Sequence, residues 1–131
     1  MLFRSGSAGT GGRIPTYLAE VPANLGNVDF KLGVANARGG APATLLVGLA
    51  PTAAVLSGVN LNVLLNGNEM LIPLALNGNA GVAGAGYGTL QLAVPSIPGL
   101  AGITLFTQWF VWDDGVAAGA ATSRGAEVRF F

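Results

Sequence analysis

Asn27-Val28-Asp29-Phe30-Lys31-Leu32-Gly33-Val34-Ala35-Asn36 alternates without a break. Val28, Phe30, Leu32 and Val34 fall on one side; Asn27, Asp29, Lys31 and Gly33 fall on the other. Successive side chains of an extended chain point to opposite faces, so a period of two marks a strand with one buried face. The pattern returns at Val59, Leu61, Val63 and Leu65, set against Asn60, Asn62 and Asn66.

Working outward from these two stretches, the chain is a series of short apolar segments punctuated by Gly, Pro and Asn. Residues 16–21 form a short strand ended by Pro22. Arg38-Gly39-Gly40 turns the chain into a strand over 43–49, which Pro51 closes. Asn66 and Gly67 both tolerate positive φ, so 59–65 and 70–76 read as a hairpin about that dipeptide. Asn77-Gly78-Asn79 is a further turn and 80–86 a loop. Residues 87–94 make a strand with Leu90, Leu92 and Val94 on one face, and Pro95 to Gly99 make a corner. Residues 103–112 form the longest strand, and 127–131 the last. The one helix-like stretch, 116–121, is too short to stand as a helix. Seven to nine short antiparallel strands with regular turns predict an all-β fold, a single β-sandwich or jelly-roll-like domain over residues 14–131. Residues 1–13, rich in glycine and serine without periodicity, predict a flexible arm. The expected core comprises Val28, Phe30, Leu32, Val34, Leu61, Val63, Leu90, Leu92, Leu105 and Trp109.

Composition removes whole classes of chemistry. The 131 residues contain no cysteine and no histidine, and six basic residues balance six acidic ones. No disulfide framework, thiolate or imidazole metal site, or Ser-His-Asp machinery can be built from this set. A nucleic-acid binder needs a positive surface to displace counterions, and a net charge of zero offers none. The apolar stretch 41–59 contains Pro42, Gly48, Pro51 and Gly58, which suits two strands and a turn rather than a membrane span.

Several segments taken in order look familiar: Gly26 to Asn36, Leu46-Val47-Gly48, Leu92 to Leu100 and Gly102 to Gln108. Together they resemble a small all-β domain found at the ends of large secreted proteins of environmental bacteria, over about residues 16 to 131. The resemblance implies an extracellular, non-catalytic β-sandwich and brings no catalytic residue with it. Such domains often carry a cysteine near the middle hairpin, where this chain reads Asn66-Gly67-Asn68-Glu69-Met70.

Few side chains are candidates for chemistry. Asp113-Asp114-Gly115 is the one acidic pair and could offer oxygens to calcium, but a calcium ion takes six to eight, and Asp-Gly is a common turn. Asp29 and Lys31 share a strand face as a solvated pair. Glu20, Asp29, Glu69 and Glu127 each stand alone, where acid–base catalysis needs two groups brought together. No catalytic, cofactor-binding or metal-ligating residue is expected, and the chain is read as a non-enzyme.

The aromatic run is more informative. Ile103, Leu105, Thr107, Trp109 and Val111 would line one face of their strand; Thr104, Phe106, Gln108, Phe110 and Trp112 would line the other. Neither face is polar, as one face of a solvent-facing antiparallel strand should be. The strand is central and covered, or its outer face docks another subunit, or Phe110 and Trp112 form a platform for a sugar ring aided by Gln108 and Asp113 or Asp114. Twelve charged residues at net zero give little self-repulsion. The expectation is therefore an extracellular or cell-surface structural protein that assembles with copies of itself into a fibre or layer. Its contacts are Leu2, Phe3, Phe110, Trp112, Phe130 and Phe131, with terminal strands exchanged between copies. A carbohydrate-binding or adhesion module is the alternative, and a viral coat subunit a third possibility.

Overall fold

The computed structural model describes residues 1–19 and 23–131. The expected end of the first strand at Val21 and Pro22, and Glu20 with it, lie outside the described residues.

Among the described residues ten strands run in chain order: β1 (Leu2–Phe3), β2 (Thr16–Ala19), β3 (Phe30–Ala37), β4 (Pro42–Gly48), β5 (Pro51–Leu56), β6 (Val59–Val63), β7 (Met70–Ala75), β8 (Gly86–Leu92), β9 (Thr104–Trp112) and β10 (Ala120–Arg129). They form three antiparallel sheets, ordered β1-β10-β9-β4-β7, β2-β3-β8 and β5-β6. The all-β sandwich expected from the alternation is what the chain adopts.

The five-stranded sheet is the middle layer, and adjacent residues of β4 show why. Leu45 and Leu46 point to opposite faces, yet both are buried. Leu45 joins Phe30, Leu32, Val34, Trp109 and Val111 in a core shared with the β2-β3-β8 sheet. Leu46 joins Leu61 and Val63 of the β5-β6 hairpin, with Phe106 and Phe110 packed against them. The strand β9, apolar on both faces, is thus central and covered on both sides. Tyr17 crosses the first core and places its hydroxyl 2.6 Å from Thr107 Oγ1, which itself donates to the Ala126 carbonyl. Burial, offset in part by that hydrogen bond, pushes the Tyr17 phenol up to about 12. Its contribution is complete below the ordinary tyrosine value near pH 10 and fades as pH rises through the folded value. Tyr17→Phe is expected to cost about 1 kcal/mol and to abolish that alkaline loss, read from urea unfolding on either side of about pH 10.

Several expectations are corrected. Val28 lies in a turn and is exposed, because Asn27 Oδ1 accepts the Asp29 N–H and bends the chain before β3 begins. Leu90, Leu92 and Leu105 are half-buried against the core rather than inside it. The hairpin is β5-β6 rather than β6-β7: β6 pairs with β5, and β7 pairs with β4. Ser57 and Gly58 both sit at positive φ, the requirement of a tight two-residue hairpin turn. The Asn66-Gly67 turn is instead closed by the Glu69 carboxylate, which accepts both N–H groups. Pro51 opens β5, a position where a missing N–H costs nothing. Finally, β10 is the longest strand and takes in residues 120–126. Its small side chains hide the alternation, and its pairing with β9 shifts register between Thr122 and Gly125.

Residues 1–13 are not a loose arm. Leu2 and Phe3 pair with Ala126 and Gly125, and Ser7 exchanges backbone hydrogen bonds with Thr122. The Phe3 ring meets Phe106 edge-on at 6.0 Å between centroids and lies against Gly125, where a Cβ would collide with it.

Candidate functional site

Three places gather the side chains singled out by the sequence. The first is a polar seam between the hairpin layer and the middle sheet. Gln108 is fully buried there. Its Oε1 accepts the Asn62 N–H at 2.9 Å, and its Nε2 donates to the carbonyls of Asn60 at 3.0 Å and Ser123 at 2.8 Å. Asn60 and Asn62, the polar side of the β6 alternation, are half-buried and buried respectively. Their amides donate to the carbonyls of Gly6 and Ser5, and Ser7 Oγ accepts the Asn60 N–H. The N-terminal segment therefore lies between β6 and β10 and satisfies both. Gln108 is a structural hub, not a partner for a sugar on Trp112.

The second place is the end of the sandwich where Gly39, Gly40 and residues 113–119 turn. Asp113 is buried, and its oxygens accept the N–H and hydroxyl of Thr10, the N–H of Gly115 and a 3.5 Å contact from Arg38. Burial pushes its carboxyl up, but the Thr10 and Gly115 hydrogen bonds and the Arg38 charge outweigh this and hold it below the usual carboxylate range. The Arg38 guanidinium also pairs with Asp114, whose side chain stands almost fully in solvent. Among the described residues no group of three or more acidic side chains gathers as a metal site. Beside this pair a groove of about 190 Å³ runs between Arg38, Gly39, Gly40, Gly81, Asp114 and Trp112. Trp112 is 55% exposed and is braced by Phe110, edge to face at 4.9 Å.

The third place is the opposite end. There β4, β8 and β10 finish and β3, β7 and β9 start. An open cleft of about 210 Å³ enters between the two larger sheets, walled by Phe30, Leu32, Ile72, Leu92, Leu105 and Phe130. Met70 lines it, and exposed Leu49, Leu64, Leu65, Ile97 and Phe131 stand on the loops and strand ends at the same end.

Of the six expected assembly residues, three are engaged within the chain. Phe3 packs on Phe106, Phe110 on the second core and Phe130 on the first. Leu2, Trp112 and Phe131 are exposed, at three separate places. The expected pair of Asp29 and Lys31 does not form an ion pair; Asp29 accepts from Gln91 Nε2 at 3.1 Å. The apolar end escaped the sequence reading because its exposed residues come from three separate loops, the start of β7 and the last residue after β10, none of which is unusual alone.

No protein-family model, no curated protein and no solved structure matches the chain.

Proposed function

We propose that this domain is a non-catalytic structural protein that associates with copies of itself, chiefly through the apolar end of the sandwich. The observation that carries the reading is that Leu49, Leu64, Leu65, Met70 and Phe131 are all exposed at the end of the sandwich where an open apolar cleft enters. Exposed apolar surface gathered at one end of a domain favours association, because covering it removes that surface from water. The protruding side chains and the cleft lie at the same end. Two copies can therefore cover one another about a two-fold axis, a contact that closes on itself.

A fibre or layer needs a second, different contact, and β5 offers one. Pro51–Leu56 is the outer strand of its two-stranded sheet, and Ala53, Ala54, Val55 and Leu56 are exposed. An exposed apolar edge strand is a template for pairing with another chain. Two distinct two-fold contacts per subunit propagate into an open assembly. The charge-poor composition, rich in Gly, Ala, Thr and Asn, and the resemblance to secreted bacterial domains support an extracellular setting.

Sedimentation velocity from low to high micromolar concentration tests the reading. The expected result is a rise in sedimentation coefficient that salt does not reverse, lost in the double variant Leu65→Asp/Met70→Lys, with filaments or sheets in negative-stain images of the wild type. A wild-type monomer throughout the range would overturn it.

A further inference from the structure

The Trp112 groove lies at the opposite end from the proposed association surface and has a different chemical character. Its lining is apolar in part, from Ala41, Pro42 and the Trp112 indole, and polar in part, from the Arg38 guanidinium, the solvent-facing Asp114 carboxylate paired with it, and backbone at Gly39, Gly40 and Gly81. An exposed aromatic face beside a few convergent polar groups suits a ligand that is apolar on one face and hydroxylated around its edge. That is the chemistry of a pyranose ring. We propose that this groove binds one pyranose unit of a neutral glycan, stacked on Trp112 and hydrogen-bonded at its edge by Asp114 and Arg38.

Three observations favour this occupant. The volume of about 190 Å³ falls below the about 300 Å³ at which pockets for drug-sized ligands begin, so it suits a single ring rather than a whole oligosaccharide. Arg38 lies against both Asp113 and Asp114, which leaves one uncompensated negative charge at the site and disfavours sugar acids. The edge contact from Phe110 fixes the indole in advance, and hydrogen bonds from Thr10 and Gly115 fix the Asp113 carboxylate that holds Arg38. A preorganised site loses less freedom on binding. The glycines at the rim matter because a side chain on Gly81 would sit against the Arg38 guanidinium.

Tryptophan fluorescence tests the proposal cleanly. Trp109 is fully buried, so Trp112 alone can report contact with an added ligand. Cellohexaose, chitohexaose and a mannohexaose are titrated into the protein, and into the Leu65→Asp/Met70→Lys variant so that association at the other end does not contribute. The expected result is a saturable shift or quench with at least one sugar. Asp114→Ala, which removes an exposed carboxylate and its pairing with Arg38 but leaves Arg38 anchored on Asp113, should weaken binding by about tenfold. Trp112→Phe should retain weaker binding, and Trp112→Ala should abolish it by calorimetry. No saturable response to any of the three sugars, or unchanged affinity in both Asp114→Ala and Trp112→Ala, would overturn the proposal.

Discussion

Replacing Gln108 with leucine is expected to lower stability by about 3–5 kcal/mol and to loosen the β5-β6 hairpin from the middle sheet. Leucine fills a similar volume, so little cavity is created, and the loss is polar. The Asn62 N–H and the Ser123 carbonyl lose their side-chain partner in a place that water does not reach. Each buried orphan costs about 1–3 kcal/mol, whereas a satisfied bond contributes only about 1. The Asn60 carbonyl suffers less, because the Thr122 hydroxyl still donates to it at 3.0 Å. The effect amounts to roughly 10–15 °C in Tm for a chain of this size, measured by circular dichroism. Hydrogen exchange adds a local signature: the amides of β6 should lose protection in the variant more than those of β3. A change below about 1 kcal/mol would mean that Leu46, Leu61 and Val63 hold the hairpin without the seam. Gln108→Glu should be no milder, since it keeps an acceptor for Asn62 but buries a charge without a cation.

The same seam explains which parts of the fold could be read from the sequence. β3 announced itself because bulky apolar residues alternate and β9 because it is a long aromatic-rich run, and Phe30, Leu32, Val34 and Trp109 are buried as expected. In the hairpin layer β6 alternates as openly, but its partner strand and the burial of its polar side did not show. Asn60 and Asn62 have the look of a solvent face, and only the tertiary placement of Ser5, Gly6 and Gln108 makes burial tolerable. In β10 the run Ala120-Ala121-Thr122-Ser123 carries no bulky period, since close packing there uses small side chains. Residues 1–13 have no pattern for a similar reason: most of their hold comes through backbone groups and the fit of Phe3 to Gly125, which composition does not display. At the Trp112 groove the exposed tryptophan and the acidic pair were visible. The arrival of Arg38 and of Gly81 from distant turns was not, because which loops share one end of a sandwich depends on strand order rather than periodicity.

Asp113 should be the point at which acid first opens the molecule. Its carboxylate ties Thr10 of the N-terminal segment to the turn after β9, and Arg38 leans on it. With a folded pKa held below the unfolded one, its contribution is complete above the ordinary carboxylate value near pH 4 and disappears as pH falls through the lower folded value. Protonation then leaves the Thr10 donors competing with a carboxyl proton. The expected sequence in acid is release of residues 1–13, exposing the β10 edge and the Asn60–Asn62 face, before the two larger sheets separate. Limited proteolysis near Arg4 and Arg13 should follow the same pH course. Asp113→Ala should mimic the acid state at neutral pH, at a cost of about 2–4 kcal/mol, because the Thr10 donors and Arg38 lose their shared acceptor. Its stability should then vary far less with pH below about 4 than that of the wild type. Glu69 is a useful contrast: its carboxyl is also held low, by backbone N–H groups including its own, but it closes only a surface turn. If Glu69→Gln flattened the acid profile and Asp113→Ala left it unchanged, acid would be acting at the Asn66–Glu69 turn beside the apolar end, and the N-terminal segment would be held by its backbone pairing to β10 instead.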